Sequence, residues 1–212
     1  MSKRALVFYG GWEGHSPDQI AKRFETSLMA CGFEVILSSS LDCLNDEDTL
    51  KQYDLIIPCW TMGELSQQQE AALCAAVRSG VGLAGAHGGM GDAFRSAAEY
   101  NYMVGGQFVS HPQVGEYVVR VVQAEHPLTE LLPVEFKYDS EQYYLHVDPK
   151  IDVLLETDYN QDGEVVAMPV AWTKTWGVGR VFYCSLGHAP EEYDTHPYVW
   201  DFIIKGAGWA CR

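Results

Sequence analysis

His87 lies in the run Gly85-Ala86-His87-Gly88-Gly89, behind a short apolar stretch, 79–84, that reads as a buried strand. With serine or cysteine at its centre, this spacing makes a sharp strand-to-helix turn that lifts one side chain above a sheet. Glycines flank such a turn because a Cβ there would meet neighbouring backbone. Here the lifted side chain is an imidazole. It can act as general base, general acid or metal ligand. It is a poor replacement for a thiolate that must form an acyl intermediate. The spacing therefore points to proton or metal chemistry at His87 and away from covalent acyl transfer.

Most other histidines also stand beside turn residues: His15 after Gly14, His111 before Pro112, His126 before Pro127, His188 after Gly187 and His196 before Pro197. Only His146 lies in an ordinary strand-like run. His15 follows the first expected strand, His87 the fourth and His188 the strand at 181–186; in a doubly wound sheet those loops open on one edge. These three are the metal candidates, because imidazole suits zinc, nickel or iron(II). The helical His-x-x-x-His spacing is absent, so the sequence carries no strong metal signature.

Asp139-Ser140-Glu141 places two carboxylates at i and i+2, on the same side of an extended segment. They suit a base and its orienter or a grip on sugar hydroxyls; a solvated acidic loop is the plainer alternative. Glu13 and Glu64 border two sheet-edge loops and carry the same alternatives. Trp12 and Trp60 end strands at that edge, where an indole can stack on a sugar ring. Tyr102, Phe108, Tyr143, Tyr144 and Trp172 are further aromatics near these loops. The segments 105–108 and 110–112 read as a turn-rich loop that could close over the site. Gly10, Gly11 and Gly14 lack the Gly-Lys-Ser/Thr and dinucleotide spacings, so nucleotide binding is not expected.

The elements that must position these groups follow from periodicity. Strands are expected over 3–9, 33–37, 53–60 and 81–86, all continuously apolar. Helices fit 17–31, with Ser16 as N-cap and Pro17 at the first helical position, and 66–78, with a capping box from Ser66 to Gln69. This β-α-β rhythm predicts an α/β fold, a flavodoxin-like, doubly wound, mostly parallel sheet with helices on both faces. The second half is less regular. Strands are expected at 115–122, 151–157 and 165–172, with 165–172 pairing 180–185 across the turn 175–179. An aromatic-rich segment spans 134–147, a short turn or helix 128–132, and a closing helix 196–209. No repeat or linker interrupts residues 1–212, so one domain with an antiparallel C-terminal extension is expected.

The chain has 212 residues and a formal charge of −15. Such an acidic surface argues against nucleic acid or an anionic membrane as partner. No run approaches a membrane span, and the first residues, Met1-Ser2-Lys3-Arg4, run into a strand rather than a leader. Cys31, Cys43, Cys59, Cys74, Cys184 and Cys211 include no Cys-x-x-Cys pair. They read as reduced thiols packed in the core of a cytoplasmic protein. An acidic, aromatic-rich chain of this size is also a candidate homo-oligomer.

Seven stretches together carry a family resemblance: F-Y-G-G-W-E-G-H-S at 8–16, G-A-H-G-G at 85–89, G-G-Q-F-V-S-H-P at 105–112, D-S-E-Q-Y at 139–143, P-V-A-W-T at 169–173, G-R-V-F-Y at 179–183 and S-L-G-H at 185–188. In this order, across nearly the whole chain, they resemble the ThuA-like (trehalose-utilisation) family, a branch of the class I glutamine amidotransferase-like superfamily. The resemblance implies a flavodoxin-like sheet with the ligand site at the elbow. It implies His87 in the place of the amidotransferase cysteine and His188 in the place of its histidine. Glu141 with Asp139 would match the family's acidic segment, and His15 and His111 its loop histidines. Glutaminase activity does not carry over, since Cys59 and Cys184 lie within strands and cannot replace the missing nucleophile. The implied role is catabolism of trehalose or related, often keto-oxidised, sugars.

Two readings follow. In the first the chain is an enzyme, an isomerase, lyase or hydrolase acting on such a sugar. His87, His188 and Glu141 would do the chemistry, and Trp12, Glu13, His15, Trp60, His111, Asp139 and Tyr143 would hold the substrate. A divalent metal, zinc or similar, is the candidate cofactor. In the second the chain binds carbohydrate or regulates without catalysis, since fold alone does not imply activity.

Overall fold

The computed structural model describes residues 2–212. Met1, the first of the four residues expected to run into a strand, lies outside them. The elements in chain order are β1 (Arg4–Gly11), α1 (Pro17–Ala30), β2 (Glu34–Ser38), α2 (Glu47–Leu50), β3 (Leu55–Thr61), α3 (Gln67–Arg78), β4 (Gly82–Ala86), α4 (His87–Gly91), α5 (Ala98–Val104), β5 (Gly106–Val121), β6 (Glu135–Val147), β7 (Asp152–Gln161), β8 (Glu164–Trp176), β9 (Gly179–Cys184), α6 (Pro190–Thr195) and α7 (Pro197–Ala210). Short 3-10 turns at Glu13–His15 and Leu41–Leu44 complete the set.

One mixed sheet of nine strands, in the order β2-β1-β3-β4-β9-β8-β7-β5-β6, runs through the molecule. The pairs β1–β2, β1–β3, β3–β4 and β4–β9 are parallel; β8–β9, β7–β8, β5–β7 and β5–β6 are antiparallel. The parallel core and the antiparallel remainder are as expected, but the placing of the antiparallel strands at the C-terminus is corrected. The antiparallel strands come from the middle of the chain. The tight β8–β9 turn, which pairs Trp176 with Gly179, sends β9 back against β4 and so into the parallel set.

Continuously apolar strands are explained by burial on both faces. In β1, Ala5 and Val7 join a core layer with Phe24 and Leu28 of α1 and Phe202 and Ile203 of α7. Leu6 and Phe8 join the other layer, with Leu73 and Val77 of α3 and Tyr100 and Met103 of α5. Each of the larger side chains stabilises the fold by about 1.5–3 kcal/mol through burial. The capping box of α3 forms as expected between Ser66 and Gln69. Ser16 does precede Pro17 at the start of α1, but it adopts φ 47° and its side chain caps nothing. Of the six cysteines, Cys31 is exposed and Cys43 half-buried, which corrects the all-core reading; the other four are buried.

In the expected loop at 105–112, Gly105 caps α5 and the remainder is instead the start of β5. Its register against β6 slips twice, between Phe108 and Ser110 and between Ser110 and Gln113. Pro112 has no N–H to donate to a ladder, so the strand bulges there. No helix among the described residues is long and apolar enough to cross a membrane.

Candidate active site

The sheet order reverses at β1, which has β2 on one side and β3 on the other. Crevices at the carboxyl ends of strands form at such points. The turn after β1 brings in His15, and the end of β3 brings Thr61, whose Oγ1 lies 2.7 Å from His15 Nδ1. Beside them β4 ends at Ala86 and the one-turn helix α4 begins at His87. His87 has φ 46°, in the left-handed region. A residue with a Cβ held there is strained by about 1–3 kcal/mol, a cost that surrounding contacts must offset. Tyr183 supplies one such contact, its hydroxyl donating to the His87 carbonyl at 3.1 Å. The glycines leave the space: a Cβ on Gly88 would overlap the His15 ring, and one on Gly85 would sit 2.7 Å from Met90 Cβ and Sδ.

His87 is oriented at both nitrogens. Nδ1 lies 2.7 Å from the Ser185 carbonyl, which only accepts, so Nδ1 carries the proton. Nε2 faces the cleft, 2.8 Å from the Tyr143 hydroxyl, which donates to it whenever that nitrogen is unprotonated. Glu141 Oε2 stands 3.3 Å from the same Nε2. Two further imidazoles approach Oε1 of that carboxylate: His188 through Nδ1 and His111 through Nε2, each at 3.4 Å. His15 packs edge-on to His87 and to His188, with ring centroids 4.7 and 5.0 Å away. One ligand atom each from His15, His87, Glu141 and His188 fall within 4.8 Å of one another.

The charges follow from this packing. Burial, with the neighbouring His87 and His188, lowers the pKa of His15 to about 3, so its ring is neutral near pH 7. Burial pushes the Glu141 carboxyl upward, but His188 and His87 beside it overcome this and hold it well below the usual carboxylate range. The Glu141 carboxylate in turn raises His188, against the effect of burial. Burial raises the Tyr143 hydroxyl well above its ordinary value, so it remains a donor. A cavity of about 20 Å³ adjoins His15 and His87, lined also by Cys59, Ala86 and Tyr193; it has room for one water.

The residues also fit a divalent ion. Three imidazoles and a carboxylate are a donor set that zinc and its neighbours accept. His15 is kept neutral and Glu141 anionic, the forms that ligate. His188 Nδ1 is buried and makes no hydrogen bond, its approach to Glu141 being short of bonding geometry. The hydrogen bonds at His87 Nδ1 and His15 Nδ1 orient the rings, as outer partners of metal-ligating histidines do.

Of the residues singled out in the sequence, His15, His87, His111, Glu141, Tyr143 and His188 converge. Trp12 lies at the border, 46% exposed, its indole edge against His15 at 4.8 Å. Trp60 is half-buried and packs against the core layer beside α3, its ring over Gly10 and Gly63. Glu13 is exposed, in the same short turn as His15. Asp139 shares the side of β6 with Glu141 but lies exposed, opposite Glu116 of β5. Three contributors escaped the sequence reading. Thr61 and the Ser185 carbonyl set ring orientation. Glu192 of α6 accepts from the His188 backbone N–H at 3.1 Å and from Ser140 Oγ at 3.0 Å, tying the His188 loop to β6. No spacing signal marks any of the three, because each acts through the fold.

Residues 4–210 match the model of the family described as ThuA, trehalose utilisation. The chain belongs to the ThuA family. Among solved structures, this ThuA chain resembles a ThuA-like protein from Bacteroides uniformis at 22% identity and a TM-score of 0.77, covering 97% of this chain and 91% of that one. A ThuA-like protein from Parabacteroides merdae is 18% identical with a TM-score of 0.78, covering 99% and 90%. A cytoplasmic protein from Salmonella typhimurium is 12% identical with a TM-score of 0.68, covering 99% and 100%. At these identities the likeness concerns the fold. No curated protein matches the chain.

Proposed function

We propose that this ThuA protein is a cytoplasmic enzyme acting on trehalose or a related, keto-oxidised sugar, on a doubly wound, flavodoxin-like core. The observation that carries this reading is the convergence of three imidazoles on the Glu141 carboxylate, with the His87 tautomer fixed by the Ser185 carbonyl. A keto-sugar has an acidic C–H beside its carbonyl, and a histidine–carboxylate pair suits its removal. His87 Nε2 takes that proton, and the C–H electron pair moves into the carbonyl as an enolate. Glu141 stabilises the imidazolium that forms. His188, raised by the same carboxylate, holds a proton to deliver to the developing oxygen anion. The resulting enol returns its O–H proton to His188 as the carbonyl re-forms, while the proton held on His87 goes either to carbon, as an isomerase, or to a departing β-oxygen substituent that leaves as its O–H compound, as a lyase. Tyr143 donates to Nε2 when no substrate is present, so binding must displace its hydroxyl. A divalent ion held by His15, His87, Glu141 and His188 would polarise a sugar oxygen as a Lewis acid; His87 would then be a ligand, and His111 the imidazole left to move protons.

The test is turnover of trehalose and keto-oxidised trehalose, followed by NMR, with wild type and His87→Ala, each without metal and with zinc. The expected result is turnover by wild type and a loss of 10²-fold or more in the variant, with sugar binding retained. An inert wild type that still binds sugar, and binds it less well after His87→Ala, would replace the enzyme reading with the binding-module one.

A further inference from the structure

A second depression, a groove of about 500 Å³, lies where the β5 bulge meets the β7–β8 hairpin. Its size falls within the range of small-ligand sites. Its walls divide into two kinds. Val109, Pro112 and the ring of Tyr144 are apolar, while Gln113, Asn160, Gln161 and Asp162 supply amides and one carboxylate. No lysine or arginine lines it, and Asp162 is its one charged group. An anionic ligand finds repulsion there and no partner. Among the described residues, the side chains of Ser110, Tyr144 and Gln161, which also line it, make no hydrogen bonds within the protein and are free for a ligand. An apolar patch beside the uncommitted Gln161 amide and two uncommitted hydroxyls, with Gln113 Nε2 bonded to the Asn160 carbonyl and Asn160 Oδ1 to the Gly163 N–H, matches a sugar ring, which has C–H faces that stack and hydroxyls that bond.

The groove shares its supports with the histidine cluster. His111 faces Glu141, while its neighbours Ser110 and Pro112 line the groove. Tyr143 bonds His87, and the next residue, Tyr144, lines the groove. We propose that this groove is a second saccharide site, taking a neutral glycosyl unit and rejecting phosphorylated or acidic sugars. The proposal rests on the reading of the chain as a sugar-acting protein and deepens it by naming where an uncharged ring is held away from His87.

The test uses the full ¹⁵N-labelled chain titrated with glucose, trehalose and glucose 6-phosphate. Glucose or trehalose is expected to shift the backbone amides of Gln113, Asn160, Gln161 and Asp162, and glucose 6-phosphate to leave them in place. Tyr144→Ala and Gln161→Ala are each expected to weaken that response about tenfold, a loss of about 1.4 kcal/mol. Gln161 is exposed in the hairpin, so its variant keeps the test available where Tyr144→Ala fails to fold. Asp162→Lys should admit the phosphorylated sugar. The proposal is overturned if neither neutral sugar shifts these amides, if the two alanine variants respond like wild type, or if glucose 6-phosphate binds as well as glucose. The same titration on His87→Ala separates the two ideas: groove shifts should persist there, whether or not His87 is needed for turnover.

Discussion

Mild acid should destabilise this protein before its carboxylates begin to titrate, and His15 supplies the reason. Its ring is buried against His87 and His188 and takes a proton only near pH 3, whereas an unfolded histidine takes one near 6.5. Between those values the unfolded chain binds more protons than the folded one. A depressed histidine pKa of this kind leaves stability intact above about 6.5 and removes it as pH falls. From pH 7 to pH 5 the unfolded ring crosses about 1.5 pK units while the folded ring stays neutral, a loss of about 2 kcal/mol. Domains of this kind have only about 5–15 kcal/mol in total. Glu141 acts lower: its depressed pKa contributes stability that is lost as pH falls below the ordinary carboxylate range, so the window above pH 5 leaves Glu141 out. His188 has the opposite sign, because its raised pKa contributes stability in acid that is lost as pH rises through its folded value. The assay is urea unfolding of chelator-treated wild type and His15→Gln at pH 7, 6 and 5. Wild type should lose about 2 kcal/mol more than the variant across that range. Parallel curves would refute the reasoning, as would an imidazole NMR signal showing His15 already protonated at pH 5.

Glu141→Gln removes the one anion among the four candidate ligands, and zinc affinity by calorimetry should fall by more than about 100-fold; unchanged affinity would exclude Glu141 from the donor set. Gly88→Ala puts a methyl into the His15 ring, so zinc binding and turnover should both drop. Gly208→Ala, whose Cβ meets nothing within 4 Å in the exposed face of α7, should leave both unchanged and raise stability by about 0.5–1 kcal/mol. Glu192→Gln leaves one acceptor oxygen for two donors, the His188 N–H and Ser140 Oγ. It should cost about 1 kcal/mol of stability by chemical unfolding and lower kcat more than it raises KM; an unaltered kcat would mean Glu192 does not position His188.

Which parts of the centre were legible in the sequence depends on whether a local rule fixed them. The parallel strands declare themselves by unbroken apolar runs, α3 by its capping box, and the His87 elbow by its glycines; each is a short-range pattern. His15, His87 and His188 could be placed together because strand ends in an α/β sheet share an edge. The misses depend on long-range pairing. The i, i+2 rule put Asp139 and Glu141 on one side of β6 correctly, but only the pairing of Val114 with Glu141 and Glu116 with Asp139 decides which carboxylate meets the histidines. His111 reads as a loop residue because the bulges that seat it exist only in the register of β5 against β6. Trp60 ends a strand at the expected edge, and how far its ring is covered depends on Gly10 and Gly63, which come from other segments.

That division bears on how the centre fails. His15, His87 and His188 each come from a loop after a parallel strand, and the parallel core alone can hold them. Glu141, Tyr143 and His111 all come from β6 and the bulged start of β5, at the far end of the sheet order from β1. The carboxylate that polarises the imidazoles and the hydroxyl that caps His87 therefore depend on one strand pair, to which the His188 loop is tied through Glu192 and Ser140. A single-residue slip of β6 would turn its side chains to the opposite face and remove Glu141 and Tyr143 together. The three loop histidines would remain, with His188 deprived of the carboxylate that raises it.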